Sequence, residues 1–365
     1  MAPALVKLLR VLLFKWRDLP PLQSPTFDWV YHATGLAIGH LVNVTDLGRV
    51  WVEEALDAGL IEAVLKANPV YCVYEEVVRS GIERRHTINH LLGNLFLSII
   101  RYLMWPSVTR RVLRWSKKAQ KSSSENAAHD KSQEGRMDLW AYWKRVEHQA
   151  RTFNNVMAEL KARQCICSNA ECPLRGESLP TSTVKLRDVK YSRCCGCLTA
   201  LYCSHYCQKA DWKPRHREEC KIWARKQRAG SRAVSYAEEC FLLQLMDLYL
   251  DLDHNRFTFY QAARSYIRSP VEDQENSPLI AFFDFNADFS PRRSDLRYGH
   301  KWGPECLQVM EIGQLLSMMP NQRERVMKLS LEKGGNLSQN QCLAIAIFPD
   351  GEDRFLAAKP LKYRD

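Results

Sequence analysis

The sequence predicts a mostly α-helical chain with a small α+β module at its C-terminus and a cysteine-rich, metal-binding segment between the two. Three observations carry this. Apolar residues recur at helical spacing through the first third of the chain, nine of the thirteen cysteines fall between Cys165 and Cys220, and alternating strand-like runs begin only near Leu279. At 46% hydrophobic and 25% charged residues, the composition is that of an ordinary globular protein. A largely disordered chain, a collagen and a simple coiled coil are excluded. At about 100–200 residues per domain, 365 residues make two or three domains.

Residues 1–24 are an N-terminal amphipathic segment, with Lys7, Arg10 and Lys15 spaced through Leu and Val. No acid precedes Asp18, as in a mitochondrial presequence, but the segment has no serine and no uninterrupted apolar core of a secretory signal. Asp18-Leu-Pro-Pro separates it from a helical domain over 25–115. There, Trp51 to Ala67 places Trp51, Val52, Ala55, Leu56, Leu60, Ile61, Val64 and Leu65 at helical spacing, and Gly59 breaks the run into two short helices. Glu54 to Leu65 resembles the inter-helix turn of an armadillo-like repeat. No clean second copy follows, and an irregular helical domain fits as well. Met104-Trp-Pro-Ser-Val-Thr ends one helix and starts another, with Pro106 near the first helical position. The longest apolar stretch, Leu91 to Trp105, contains Asn94 and Arg101 and is shorter than the about 20 residues of a membrane span.

Residues 116–137 read as a polar linker, with no large apolar residue before Met137. A connecting helix over 138–164, centred on Leu139 to Arg163, leads into the cysteines. The last module, 235–365, mixes types. Tyr236 to Leu252 and Phe257 to Ile267 have helical periodicity, and Leu279 to Phe289 alternates like a strand. Gly303 to Met319 is expected to be helical. Cys342 to Phe348 and Arg354 to Pro360 flank Pro349-Asp-Gly-Glu-Asp as a strand pair with its turn. The module has no glycine-rich phosphate loop, no Gly-x-Ser-x-Gly and no His-Glu-x-x-His. Asp284, Asp288, Asp295 and His300 lie close in sequence, and a polar strand-to-loop edge accounts for them better than a catalytic group does.

Charge and sulfur concentrate in the same segment. The chain has 52 basic and 41 acidic residues, a net of +11. Lys161 to Arg232 alone holds 16 basic and 6 acidic residues, a net of +10. That excess suits an acidic partner, a phosphate backbone or a solvated face. Thirteen cysteines, an odd number, without a secretory signal argue against a disulfide framework and for a reducing, intracellular compartment, where clustered cysteines mean metal. Cys72, Cys240, Cys306 and Cys342 are scattered in apolar contexts and read as buried thiols. The potential ligands are Cys165, Cys167, Cys172, Cys194, Cys195, Cys197, Cys203, Cys207, His216 and Cys220, with His205 as a further nitrogen donor. Cys194 and Cys197 have the two-residue gap that turns both sulfurs onto one ion. Cys203 and Cys207, like His216 and Cys220, lie one helical turn apart. With one further pair from Cys165, Cys167 and Cys172, four pairs make eight ligands, hence two tetrahedral zinc ions. Sites filled by protein ligands are structural rather than catalytic.

The string Cys194-x2-Cys197-x5-Cys203-x3-Cys207-Gln-Lys-x-Asp-Trp-Lys-…-His216-x3-Cys220 resembles a MYND zinc finger, over 165–220. The resemblance implies interleaved pairs. One ion would be held by Cys167, Cys172, Cys203 and Cys207, the other by Cys194, Cys197, His216 and Cys220. Three features depart from the family pattern. Four residues separate Cys167 from Cys172, as in fungal members, which leaves Cys165 as a spare that could replace Cys167. Cys195 is an extra thiol beside Cys194. One additional residue lies between Cys207 and His216, where Pro214 marks a kink.

MYND fingers act mainly as protein-interaction modules that hold short proline-containing peptides. Carried over, Gln208 offers an amide to a peptide backbone and Trp212 a flat wall to a proline ring. Trp212 could equally cover the second zinc site. The resemblance therefore implies a scaffold or transcriptional co-regulator. Nucleic-acid binding is the alternative, since basic residues alternate with Tyr202, Tyr206, Trp212 and Trp223. An enzyme is the third reading. Split-SET methyltransferases also carry this finger, but Asn89-His90, the only Asn-His pair, precedes it, and no closing tyrosine motif follows Cys220. An unidentified activity in the C-terminal module is the least favoured reading and stays open, since no motif there names one.

Overall fold

In the computed structural model the described residues are 1–15, 25–66, 87–123, 139–175, 186–228, 233–250, 259–261, 279–285, 307–334, 341–350 and 355–362. They divide into two compact units, with the boundary at Met157, inside a helix.

The first unit is helical. Helix α1 (Ala2–Lys15) buries Ala2, Val6, Leu9 and Leu13, a 4-3-4 spacing that makes one face, and leaves Leu8 and Val11 exposed on another. It packs on α2 (Pro25–Asp46), α3 (Arg49–Asp57) and α4 (Leu60–Lys66), so the amphipathic N-terminus is part of this core. Gly59 separates α3 from α4 with φ +91°, a left-handed conformation that side chains disfavour. Helix α5 (Thr87–Tyr102) buries Leu92, Leu95, Phe96 and Ile99, and ties to the end of α2 where Ser98 Oγ donates to Asp46 at 2.7 Å. Helix α6 (Pro106–Ser123) begins at Pro106, where the missing N–H costs nothing. Trp105, just before it, is fully buried.

Helix α6 continues to Ser123, so the first part of the stretch read as linker is helical. Tertiary contacts explain the difference. Trp115 Nε1 donates to the Leu56 carbonyl at 2.7 Å, and buried Ser116 bonds Glu147 of the next helix. These anchors carry the helix into a run of Lys, Ala and Gln, which are good helix formers even without an apolar face. The remainder of the linker lies outside the described residues. Helix α7 (Leu139–Arg163) buries Trp143, Val146, Ala150 and Phe153 along one stripe, and Tyr142 stacks on Phe96 with ring centroids 6.0 Å apart.

The second unit holds the cysteine-rich segment and a four-stranded mixed sheet of order β4-β3-β5-β6, formed by β3 (Leu279–Asp284), β4 (Leu307–Glu311), β5 (Gln341–Phe348) and β6 (Phe355–Lys362). Strand β5 pairs parallel with β3 and antiparallel with β6, and its residues from Cys342 to Phe348 are all buried, as a central strand covered on both faces requires. One face, with Ile280, Phe282, Leu343, Ile345 and Ile347, packs on α11 (Ile312–Met318) and α12 (Arg323–Gly334). On the other face Tyr249 of α10 (Tyr236–Leu250) meets Phe283 and Phe285 edge-on at 5.9 and 5.8 Å. Ser235 and Glu238 cap α10 reciprocally: Ser235 N donates to Glu238 Oε2 at 2.9 Å and Glu238 N to Ser235 Oγ at 3.1 Å.

The expected helix over Gly303 to Met319 is corrected. Leu307–Glu311 is a strand, antiparallel to β3 with Leu279 opposite Glu311, and the helix starts only at Ile312. Glu311 and Gln314 form a capping box there, so the start was written in the sequence as Glu-x-x-Gln. Helix α12 carries no expectation from the sequence reading. Of Phe257 to Ile267 only residues 259–261 are described, as helix. Cys72, Cys306, Asp288, Asp295 and His300 fall outside the described residues. Among those described, no helix is long and apolar enough to cross a membrane.

Trp105 fills the first core, and Trp105→Ala should cost about 3–5 kcal/mol. Val11→Ala, on the exposed face of α1, should stay within about 0.5 kcal/mol. Denaturant midpoints of the two variants check this, and equal shifts would contradict the packing described.

Candidate metal centres

The cysteine-rich segment folds around sulfur rather than around a hydrocarbon core. Its buried cluster consists of seven fully buried cysteines with Ala200 and Tyr202, flanked by Leu174, Leu186, Tyr191, Cys203 and Trp223. Two sets of four donors converge within it. Cys167, Cys172, Cys203 and Cys207 form the first, and Cys194, Cys197, His216 and Cys220 the second. In each set all donor atoms lie within 4.8 Å of one another.

Local structure explains each convergence. A two-stranded ribbon, β1 (Ser192–Arg193) and β2 (Leu201–Tyr202), carries a tight knuckle between its strands. Within the knuckle Leu198 N donates to the Cys194 carbonyl and Cys194 N to the Ala200 carbonyl, both at 2.9 Å. These bonds fold the Cys194–Cys197 pair back on itself. Gly196 is required here, because a Cβ at that position would lie 2.9 Å from Cys220 Sγ. Leu198 sits at φ +54°, a left-handed conformation that costs a branched side chain about 1–2 kcal/mol. Helix α8 (His205–Asp211) then starts on Ser204, whose hydroxyl accepts from Cys207 N at 3.1 Å, and projects Cys207 inward beside Cys203.

The extra residue between Cys207 and His216 has a definite place. Trp212–His216 form a single π turn, which leads into α9 (Arg217–Arg228). A π turn absorbs one residue more than an α turn. His216 and Cys220 therefore keep their inward face, and Pro214 sits where the regular ladder is already broken.

Donor chemistry and spacing both fit zinc. Four ligands about 2.3 Å from a tetrahedral ion stand about 3.8 Å apart. In the first set, Cys172–Cys203 and Cys203–Cys207 sulfurs are each 3.5 Å apart. In the second, Cys194–Cys220 is 3.8 Å, and Cys197 Sγ lies 3.6 Å from His216 Nε2. Burial pushes the Cys172 and Cys220 thiols up to about 12, so without a cation they keep their protons. Burial lowers the His216 pKa, leaving a neutral imidazole with a lone pair to give. A bound dication would replace the thiol protons.

The two surplus thiols are treated differently. Cys195 is exposed and faces away, and Cys194 takes the inward position. Cys165 is buried with its sulfur 3.6 Å from Cys172 Sγ and 3.9 Å from the Tyr191 hydroxyl. It borders the first set, and Cys167 is the member of the mutual four. His205, at the start of α8, is exposed and in neither set. Arg175, whose guanidinium donates to the Cys167 carbonyl, braces that loop.

One connecting group is absent from the sequence expectations. Asp211, almost fully buried, accepts from the Tyr202 hydroxyl at 2.7 Å and from Arg215 Nε and Nη2 at 3.0 and 2.9 Å. Arg215 Nη2 also donates to the Ser168 carbonyl. Ser168 N in turn donates to the Leu201 carbonyl at 2.6 Å. One carboxylate thus binds together β2, the turn after α8 and the loop holding Cys167. Burial and the Asp211 bond hold the Tyr202 hydroxyl protonated, far above its ordinary range. The signal was present as the Asp of the Gln-Lys-x-Asp-Trp string, but nothing in that string says which groups it meets.

The two candidate peptide contacts, Gln208 and Trp212, follow Cys207 in the chain. Trp212 is 38% exposed, and its ring meets His216 edge-on at 5.7 Å. Tyr202 and Trp223 flank the same imidazole at 5.8 and 5.5 Å. Gln208, one turn before Trp212, is half-buried.

Residues 176–220 match the family model described as MYND finger. The match begins after Cys172, so the geometry alone attaches the first cysteine pair to the finger. No curated protein and no solved structure matches the chain. A MYND finger is a zinc-binding protein-interaction domain, and the two Cys/His clusters are the places where this chain could hold the metal.

Replacing Asp211 by Ala should leave the Tyr202 hydroxyl and the inner side of Arg215 without their acceptor. The expected cost is about 1–3 kcal/mol, discounted for the partial exposure of Arg215. Chelator-resistant metal should fall with it. Thermal denaturation and metal retention of the variant check this, and a variant as stable and as metal-retentive as the parent would contradict the bracing role.

Proposed function

We propose that the finger holds two structural zinc ions and binds short proline-containing segments of partner proteins, making the chain an intracellular scaffold or transcriptional co-regulator. The zinc reading draws on donor count. Eight donors fill two tetrahedra, which leaves no coordination position for water or substrate, and this favours structural over catalytic metal. The same donors need a reducing compartment to remain thiols. No catalytic role is assigned to the finger or to the C-terminal sheet.

The half-exposed Trp212 carries the peptide reading. Its contact with His216 spends one edge of the indole on covering the second cluster, and the 38% that remains exposed offers a rigid flat wall to a proline ring. Gln208 lies on α8, four residues before Trp212, which opens the π turn, and its amide is available to a peptide backbone. Because the indole is held by the cluster itself, the wall depends on metal being bound.

Nucleic-acid binding is the rival reading, and the basic residues of α9 favour it. It requires a steep fall of affinity with salt. It does not require Trp212 in particular.

The test is fluorescence anisotropy on labelled proline-containing peptides selected against the zinc-replete chain. Trp212→Ala should lower the affinity of the selected peptide by about 2 kcal/mol, roughly thirtyfold, as for a central aromatic anchor. Gln208→Ala should weaken it less. Zinc content should be unchanged in both. Undiminished peptide affinity in the Trp212 variant would remove the proposal.

A further inference from the structure

The last helix of the finger carries a surface that the Trp212 wall leaves unexplained. Arg217, Lys221, Arg225 and Arg228 line a groove of about 340 Å³ together with Trp212, Cys220 and Ala224, and among the described residues no acidic side chain lines it. The first three cations recur every fourth residue, on one face of α9, and Arg228 extends the row.

One exposed carboxylate, Glu218, is all that answers three of them among the described residues. Arg215, by contrast, is held by Asp211 at 2.9 Å and faces Glu219 at 3.9 Å. Lys221 meets the exposed Glu218 at 2.7 Å, a pair of the kind worth little in water, and the same carboxylate feels the charges of Arg217 and Arg225. Arg228 Nε donates to the Ala224 carbonyl at 3.2 Å. Among the described residues, Arg217, Arg225 and Arg228 form no ion pair with a carboxylate. The metal centre does not account for them either. Three thiolates, one imidazole and a dication sum to a single negative charge, against four cations in the groove.

We propose that this groove binds an acidic protein segment that continues from the proline seated at Trp212 and carries carboxylates at alternate positions. The proposal rests on the Trp212 reading above. The spacing supports it. Residues four apart on a helix are separated by about 6 Å along the axis. Side chains two apart on an extended chain, which point the same way, are separated by about 6.6 Å. Successive carboxylates of an extended peptide therefore stay in step with Arg217, Lys221 and Arg225. A single-stranded nucleic acid fits less well, because it uses a series of aromatic platforms, and this groove offers one ring, Trp212.

The experiment uses the full zinc-replete chain and four labelled probes in low salt. One is a peptide with a single proline followed by glutamates at alternate positions. Two are the same peptide with glutamine or lysine in their place, and the fourth is a single-stranded oligonucleotide of the same net charge as the glutamate peptide. Anisotropy is read for the parent, for Arg225→Glu/Arg228→Glu and for Trp212→Ala. The glutamate peptide should bind about tenfold tighter than the glutamine peptide, and the lysine peptide weaker than both. The double charge reversal should abolish that tenfold preference while leaving the affinity for the glutamine peptide unchanged. Equal binding of the glutamate and glutamine peptides overturns the proposal. So does a preference that survives the double reversal, or an oligonucleotide that binds tighter than the glutamate peptide. The arms separate the two readings. If the glutamate peptide binds and responds to charge reversal but is indifferent to Trp212→Ala, the proline seat fails and the acidic groove stands. If the Trp212 variant loses the glutamine peptide while no glutamate preference exists, the reverse holds.

Discussion

Four donors must reach each of two points inside a segment that has almost no apolar core, and the rest of the finger follows from that constraint. The two sets interleave along the chain: Cys194 and Cys197 of the second set lie between Cys172 and Cys203 of the first. Neither set can close unless the intervening chain doubles back. The knuckle at Gly196, the left-handed Leu198, the Ser204 cap and the π turn at Trp212–His216 are the devices that bring this about. Several of them are unfavourable alone. Leu198 is strained, and the buried His216 imidazole, whose Nδ1 has no hydrogen-bond partner, is poor core material unless something binds the ring. A bound thiophilic dication would convert these liabilities into ligation, and metal binding and folding of this segment would then be one event.

Asp211 gives that event a protein component. Its carboxylate ties the strand before α8 and the turn after it to the loop carrying Cys167, so each set of donors stiffens the loop that presents the other. The same network sorts the basic excess into two kinds. Arg215 and Arg175 spend their guanidinium groups on carbonyls and carboxylates inside the finger. The cations of α9 line a groove in solvent. A net charge read from the sequence cannot tell these apart, because an ion pair and a free ion count alike.

How much was legible depended on how local the determining contacts were. Gly59, Pro106 and the stripes of α1 and α7 act within a turn or two, and the sequence located the corresponding breaks and helices. The donor sets were legible despite their long range, because pair spacing encodes them directly. Strand β4 was misread because Leu307-Gln-Val-Met-Glu has no strong alternation of its own, and its pairing with β3 decides its state. The helical start of the polar linker was missed for a similar reason, since Trp115 and Ser116 hold it by contacts with residues far away in sequence. Asp211 was visible as a letter and invisible as a brace. The sequence shows the extra residue before His216, and Pro214 marks a kink there, but only the fold shows that a π turn absorbs it.

The central claim, that two separate centres hold this finger, is tested most directly by counting zinc per chain in the reduced protein and in Cys203→Ser and Cys197→Ser. The account predicts two equivalents in the parent and loss of one tightly held equivalent in each variant, from the first set and from the second respectively. A parent that binds fewer than two, or variants that both retain two, would contradict it.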